Sequence, residues 1–139
     1  MARNKGQASL EMLIVLAAAI AFLAIFMSAA SDFSGKALNR SELQTQKTAF
    51  NDLTYNLNLI NSLSPGSAFK RKITLVENAL IQVNEKNELN MTFVLNNQTT
   101  TWLQKIPENT QIKLNQLTKG EHTLIYEKTT TSAALTQLN

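Results

Sequence analysis

The chain shows three successive patterns of hydrophobic and polar residues, and each predicts a different kind of element. From Met12 to Ser31, 20 residues pass without a charge, and nearly all of them are apolar. Between Leu43 and Leu63, apolar residues recur mostly every three or four positions, which is the spacing of one helix face. After Pro65, apolar and polar residues alternate in short runs, which predicts β-strands. The pattern therefore predicts an α+β protein with its helical part first.

One long helix is predicted from about residue 7 to residue 63. No proline interrupts it before Pro65, and Ser64-Pro65-Gly66 is a strong helix stop. Residues 7–31 include the apolar run, which at about 1.5 Å per residue is long enough to cross a bilayer core of roughly 30 Å. Residues 32–64 are predicted to continue the helix in amphipathic form.

The remaining part, residues 65–139, is predicted to form a small β-rich head with a polar tail. Strand-like runs lie at residues 73–75, 80–83, 89–95, 99–103, 112–114 and 123–126, with short turns between them. Connections this short predict an antiparallel meander. A sheet this small needs further apolar surface to complete a core. We expect the helix stripe formed by Phe50, Leu53, Leu57 and Ile60 to supply it.

Composition excludes several kinds of catalytic and binding site. Cysteine is absent and His122 is the single histidine, so a Cys/His zinc site cannot be built, and we expect neither metal nor cofactor. A nucleophile–base arrangement would have to join His122 to Asp32 or Asp52 near the helical part, so we expect no enzymatic activity. The net charge is +3 and the basic residues are scattered, which gives no footprint for nucleic acid.

The N-terminal region allows three interpretations. Basic residues, an apolar run and the small residues Ser28-Ala29-Ala30 are typical of a secretory signal peptide, but the run exceeds the usual apolar stretch of roughly 7–15 residues. A plain single-pass anchor fits the length, and Arg3 and Lys5 before the run favour a cytoplasmic N-terminus. Neither interpretation explains Glu11, a carboxylate at the edge of the run.

The third interpretation accounts for these residues together. Lys5-Gly6 followed by Gln7, Ser9 and Glu11 resembles the class III signal peptide of archaeal type IV pilin-like proteins, in which Q-x-S-x-E-x-x-x-L follows a cleaved glycine. Val15 stands at the leucine position, with Leu16 one place later. The resemblance covers about the first 30 residues. It implies a leader of residues 1–6, cut between Gly6 and Gln7, with the apolar run kept on the mature protein.

The resemblance also implies a role for the motif residues. Gly6 lets the backbone enter a peptidase cleft closely, while Arg3 and Lys5 hold the leader at the anionic cytoplasmic membrane face. Cleavage leaves a cationic amine at Gln7, and Glu11 lies one helical turn further on. In related filaments this carboxylate meets the amine of a neighbouring subunit, so a subunit in the wrong register buries an unpaired charge. Ser9 completes this processing and assembly motif.

The motif differs from those of two related classes. Archaellins usually begin with a glycine-rich segment after the cut and lack the acidic residue. Bacterial type IV pilins usually have phenylalanine or another N-methylated residue where Gln7 stands. The resemblance therefore implies a type IV pilin-like fold, in which a long helix packs on a small antiparallel sheet. It also implies a structural subunit of an adhesive archaeal type IV-like pilus.

The resemblance also implies where the subunit is located. It first lies in the cell membrane, with a single pass and a cytoplasmic N-terminus, and later in an extracellular surface filament. Its partners would be copies of itself, the leader peptidase, and an assembly platform with its ATPase. Two alternatives remain open. One is a minor pilin-like subunit that primes or caps the filament, and the other is a single-pass membrane-anchored extracellular binding domain.

Several further residues carry smaller expectations. Three N-x-S/T sequons mark candidate glycosylation sites at Asn39, Asn90 and Asn97, of which Asn97 lies in a predicted turn. Trp102 is predicted to pack in the core or on the sheet, and His122 to be solvated. The basic run at residues 70–72 is predicted to be a solvated strand start. The tail at residues 129–139 is expected to be either ordered against the helix or loose.

Overall fold

The chain begins with one long helix. The structure, a computed structural model, describes the backbone of residues 3–138 and the side chains of residues 9–138. Helix α1 is Arg3–Ser62, 60 residues long, and it ends within one residue of the predicted position. Pro65 explains this end, because the residue before a proline is disfavoured in the helical region, and Gly66 takes a positive φ of 88°. The chain divides into two compact units, of which the first ends at Arg40 and the second begins at Ser41.

The strands all lie in the second unit. Within the described residues they are β1 Ala68–Leu75, β2 Ala79–Val83, β3 Glu88–Leu95, β4 Gln98–Lys105, β5 Gln111–Ile112, β6 Gln116–Leu117, β7 Gly120–Lys128 and β8 Ala133–Gln137. The chain thus has an α+β fold, as its hydrophobic pattern predicts.

The strands form two sheets rather than a single meander. Sheet I has the order β1-β7-β8-β5, and sheet II has the order β4-β3-β2-β6. In sheet II, β2, β3 and β4 are consecutive antiparallel neighbours, as predicted. In sheet I, β1 pairs with the distant β7, from Ala68↔Glu127 to Leu75↔Gly120, and β5 pairs with β8 in parallel. The prediction of one antiparallel meander is therefore wrong for sheet I, because its strands come from opposite ends of the head sequence.

The C-terminal tail is part of sheet I and is not loose. β8 pairs antiparallel with β7, and its Ala133 and Leu135 are fully buried. The turn before it is closed by Thr129, whose Oγ1 accepts a hydrogen bond from the Ser132 N–H at 3.0 Å. The buried residues of β8 include small alanines. They do not give the strong alternation of large apolar residues that identifies a strand in a sequence.

A single hydrophobic core joins the second half of α1 to both sheets. Leu53, Leu57 and Ile60 are fully buried and Phe50 is 4% exposed, which confirms the predicted packing of this stripe. Alternate residues of each sheet point into the same core, as the period of two in a strand requires. They include Ile73, Leu75, Leu124 and Tyr126 of sheet I and Ile81, Leu89, Met91 and Phe93 of sheet II.

Polar side chains fix α1 against the head. Gln46 is fully buried, and its Oε1 accepts hydrogen bonds from the N–H groups of Val76 at 3.0 Å and Glu77 at 3.4 Å. Its Nε2 donates to the carbonyl of Glu77 at 3.3 Å. One side chain thereby satisfies three backbone groups in the turn between β1 and β2. Further along the helix, Thr54 Oγ1 donates to Gln104 Oε1 of β4 at 3.0 Å.

The hairpin between β3 and β4 has a two-residue loop. Asn96 and Asn97 take positive φ values of 51° and 62°, and the flanking residues Leu95 and Gln98 are paired. Two positive φ values in succession define the type I′ turn, which asparagine tolerates better than most residues. The predicted turn at Asn97 is confirmed.

Candidate functional site: the apolar helix and its N-terminal motif

The first half of α1 exposes large apolar side chains in every direction. The consecutive residues Met12 to Leu16 are each between 55% and 76% exposed. Successive helical residues are rotated by about 100°, so five in a row cover the whole circumference. The exposed set continues through Ile20, Phe22, Leu23, Ile25, Phe26 and Met27. Every face of this half therefore presents exposed apolar side chains.

This part of the helix is long and apolar enough to cross a membrane. Its most apolar 18-residue window has a mean hydropathy of 2.7, and none of that window is buried. A helix satisfies its own backbone hydrogen bonds, as a segment in hydrocarbon must. Small residues, among them Ala17, Ala18, Ala21 and Ala24, leave room for a second helix to approach closely. The segment is therefore suited to lipid and to close helix–helix packing.

The motif residues lie at the start of the same helix. Gly6 and Gln7 belong to its first turns, and the side chains of Arg3, Lys5 and Gln7 lie outside the described part of the structure. Ser9 and Glu11 are exposed. Positions 7 and 11 are separated by one turn, a rise of about 6 Å along the axis. Peptidase recognition and cleavage after Gly6 remain predictions.

Glu11 is electrostatically isolated within the sequence of the helix. The next charged residue toward the C-terminus is Asp32, at the far end of the apolar run. An exposed carboxylate at the edge of an apolar cylinder costs little in water. In an apolar environment the same group is costly unless a cation lies against it. Any environment that covers the first half of α1 must therefore supply a partner for Glu11 or leave it at a polar boundary.

The three sequons differ in accessibility. Asn39 is exposed on α1, and Asn97 is exposed at the tip of the β3–β4 hairpin. Asn90 lies on β3 and is only partly exposed, and its Oδ1 is buried without a hydrogen-bond partner among the described residues. Asn39 and Asn97 are thus the positions where an attached glycan would meet no obstacle from the chain itself. Glycosylation of the three sequons stays a prediction.

Two residues of the head have definite packing roles. The Trp102 ring lies 4.7 Å from that of Phe93 and 5.9 Å from that of Phe50, between sheet II and α1, which confirms its predicted packing role. His122, expected to be solvated, is partly exposed and also has two hydrogen-bond partners. Its Nε2 lies 2.6 Å from the carbonyl of Thr118, and Nδ1 lies 3.2 Å from Nε2 of Gln137. This placement could not be foreseen because Gln137 belongs to β8, which the sequence pattern does not reveal.

Charged groups of the head are mostly solvent-exposed. The basic run at residues 70–72 is exposed, as predicted. Lys72 Nζ donates to Glu121 Oε1 at 2.7 Å, and this hydrogen bond raises the pKa of Lys72. Within the described residues, no three His, Asp or Glu side chains are grouped so that they could hold a metal ion.

The helix also brings together one group of residues for which no role was predicted from the sequence. Phe33, Lys36, Ala37 and Arg40 line one shallow surface cleft on α1, just beyond the apolar run. Their spacing of three and four residues places them on one face of the helix, which is the signal that could have identified them.

Comparison of the chain with protein-family models, with curated proteins and with solved structures found no match.

Proposed function

We propose that the chain is a structural subunit of an archaeal type IV-like pilus, processed after Gly6 and assembled through its N-terminal helix into an adhesive surface filament. The observation that carries the proposal is the bare apolar first half of α1, preceded by the Gln7, Ser9 and Glu11 motif. An apolar helix exposed on all sides requires an apolar environment, and the motif indicates which environments follow one another.

The large side chains of residues 12–27 have the most to gain from an apolar environment. Each Leu, Ile, Phe or Met side chain gains about 1.5–3 kcal/mol when it leaves water for an apolar environment. A bilayer supplies such an environment for a subunit before assembly. Copies of the same helix, packed side by side, supply it afterwards, and the alanines of the run permit close approach. Both environments are needed for a subunit that is first inserted in a membrane and later extracted into a filament.

The head supports the proposal by completing its own core. The stripe from Phe50 to Ile60 and the inner faces of both sheets close one hydrophobic cluster. All of its members belong to the second unit, which begins at Ser41. The first half of α1 is therefore not needed to cover the head and is available to other molecules.

Glu11 has a specific role in this proposal. In a helix bundle without water, its carboxylate would be paired with the amine that cleavage creates at Gln7 of a neighbouring copy. The pair offsets much of the cost of burying either charge alone. A neighbour displaced along the axis would leave both charges unpaired. The residue thereby sets the stagger between subunits.

The first experiment determines where the mature chain begins. Intact mass and N-terminal sequencing of protein recovered from native cells should give a chain that starts at Gln7, in material sheared from the cell surface. A chain that starts near Ser31 would mean a secreted soluble domain. An uncut chain confined to membranes would mean a simple anchor. Trace amounts within filaments made mostly of another subunit would indicate a minor pilin-like protein.

Two substitutions, each with a matched control, make the test specific. Gly6→Leu should block cleavage and keep the chain in the membrane, whereas Gly35→Leu should be processed normally, because a Cβ at Gly35 meets nothing within 4 Å. Glu11→Gln should be cleaved and inserted yet fail to form filaments. Asp32→Asn, which removes the carboxylate at the other end of the run, should assemble. Normal filaments from Glu11→Gln would overturn the role given to Glu11.

A further inference from the structure

The face of α1 just beyond the apolar run combines an aromatic ring with two basic side chains. We name Phe33, Lys36, Ala37 and Arg40 the collar. Phe33 is 76% exposed, and all four residues line one shallow cleft on the helix surface. Ala37 is the small residue that leaves this cleft open between the larger side chains. The inference below rests on the membrane stage of the proposed function.

The collar lies at headgroup depth when the apolar run spans a bilayer. The run of 20 uncharged residues ends at Ser31, and Lys36 lies about 7.5 Å further along the helix axis and Arg40 about 13.5 Å. The headgroup layer occupies roughly 5–8 Å on each side of the hydrocarbon core. Helical side chains lean toward the N-terminus, which here means back toward the membrane. The long stems of Lys36 and Arg40 thus bring both cations into this layer.

Both cations are free to bind an external anion. Within the described residues, neither Lys36 nor Arg40 takes part in an ion pair, and Asp32 forms none with Lys36 one turn away. A guanidinium matches the geometry of a phosphate with two parallel hydrogen bonds, and an ammonium adds a mobile point charge. An aromatic ring such as Phe33, directly below them, is suited to the boundary between acyl chains and headgroups.

We propose that the collar binds the phosphate groups of anionic outer-leaflet phospholipids, in preference to neutral ones, and fixes the depth of the subunit before it is extracted. Two features favour lipid over another partner: the collar is continuous with the segment that would lie in hydrocarbon, and its charge is complementary to phosphate. The collar therefore acts as the outer counterpart of Arg3 and Lys5, which flank the run on its other side.

The absence of cysteine from the chain makes a direct test possible. A single cysteine at Ser34→Cys carries a donor fluorophore, and the full chain is reconstituted in vesicles of phosphatidylcholine and phosphatidylglycerol. A trace of headgroup-labelled phosphatidylglycerol or phosphatidylcholine serves as the acceptor. Energy transfer should be greater to the anionic lipid than to the neutral one. Lys36→Gln with Arg40→Gln should remove this preference. Each replacement should lower the affinity for the anionic lipid, relative to the neutral one, by roughly fivefold, which corresponds to about 1 kcal/mol.

The matched control removes two exposed lysines from the second unit, Lys47→Gln and Lys86→Gln, and should leave the lipid preference unchanged. Insertion is measured separately by resistance to alkaline carbonate. An inserted chain with equal transfer to both lipids, or with a preference that survives loss of Lys36 and Arg40, overturns this inference alone. Energy transfer between donor-labelled and acceptor-labelled chains that depends on the collar, with no preference between the lipids, also overturns the inference. That result would indicate a second copy of the chain as the partner. A chain that does not insert overturns the inference together with the membrane stage.

Discussion

The two halves of α1 share one secondary structure but differ in what surrounds them. In the second half, the apolar residues Leu53, Leu57 and Ile60 are fully buried under the sheets. In the first half, side chains of the same kind, such as Leu16 and Ile20, are 55% and 59% exposed. The second half also has polar residues fixed by the head, whereas the first half has no charge from Met12 to Ser31.

This difference shows how a helix is stabilised. Isolated helices are marginal in water, and most of their stability in proteins comes from packing of an apolar face. The second half obtains that packing within the chain, and its apolar residues are confined to a stripe. The first half is apolar on all sides, and its large side chains are exposed within the described chain. The distribution of apolar residues thus distinguishes the half of the helix that packs within its own fold from the half whose apolar side chains are exposed.

Among substitutions that test this difference between the two halves of α1, Leu57→Ala should have the largest effect on the stability of the head. The substitution removes a fully buried side chain from the core, and the cavity should lower the free energy of unfolding of the head by about 3 kcal/mol. The matched change Leu16→Ala should leave the head unaffected. Urea unfolding of the full chain in detergent, followed by the fluorescence of Trp102, measures both. Similar losses from the two variants would contradict the division of the helix into two functional halves.

A smaller effect is expected at Gln46, which fixes the second half to the turn after β1. Gln46→Ala leaves the N–H groups of Val76 and Glu77 without their acceptor and should destabilise the head by about 2 kcal/mol. Gln44→Ala, an exposed neighbour on the same helix, is the control and should change stability little. An equal, small effect at both positions would mean that water replaces the Gln46 amide at no cost.

A still smaller effect on stability is expected at Asn96, whose role is to form the β3–β4 turn and not to pack against α1. Asn96→Ala places alanine at a φ of 51° and should cost about 1 kcal/mol, because the left-handed region is unfavourable for it. Thr99→Ala removes the third residue of the Asn97 sequon without changing that turn, and should cost less. The same urea unfolding assay applies. Mass analysis of the wild type and of Thr99→Ala from native cells also tests glycosylation at Asn97. If Asn97 carries a glycan, its mass should be present in the wild type and absent from Thr99→Ala.

Local patterns predict much of this fold. The spacing of Phe50, Leu53 and Leu57 identifies the buried stripe because a helix repeats every 3.6 residues, and Ser64-Pro65-Gly66 marks its end. The β2–β3–β4 order is predictable since short turns leave adjacent strands few alternatives. The pairing of β1 with β7 depends on contacts between distant residues, which no local period encodes. β8 is missed because its buried Ala133 and Ala134 lack a strong apolar alternation.

The candidate site was predictable in a different way. The exposed apolar surface follows directly from an uncharged run too long for a small head to cover. The collar was predictable as well, because its residues are three or four positions apart and so share one face of the continuous helix that the sequence predicts. The role of Gln46 could not be predicted, because its partners Val76 and Glu77 lie in a turn that only the folded head brings near.

Replacement of Tyr126 should have the smallest effect on stability at neutral pH, and this effect should change most as pH rises. The comparison is with Tyr55, a tyrosine in a contrasting environment. Tyr126 is fully buried, and its hydroxyl has no hydrogen-bond partner among the described residues. Burial raises the pKa of Tyr126 well above its ordinary value, and the nearby Asn56 opposes the rise without forming a well-aligned hydrogen bond. Tyr55 of α1 is 66% exposed and supplies the comparison.

The sign of the pH effect follows from proton linkage. Above the ordinary pKa of 10.0, the unfolded chain loses the Tyr126 proton while the folded chain keeps it, so stability falls as pH rises. Tyr126→Phe should be at least as stable as the wild type near neutral pH, because the hydroxyl that it removes is buried and unpaired. It should then lose less stability than the wild type in alkaline urea titrations followed by the emission wavelength of Trp102. Tyr55→Phe should follow the wild type throughout. A wild-type curve that coincides with that of Tyr126→Phe at alkaline pH would show that water reaches the hydroxyl, and that the head's core is more open than the buried half of α1 indicates.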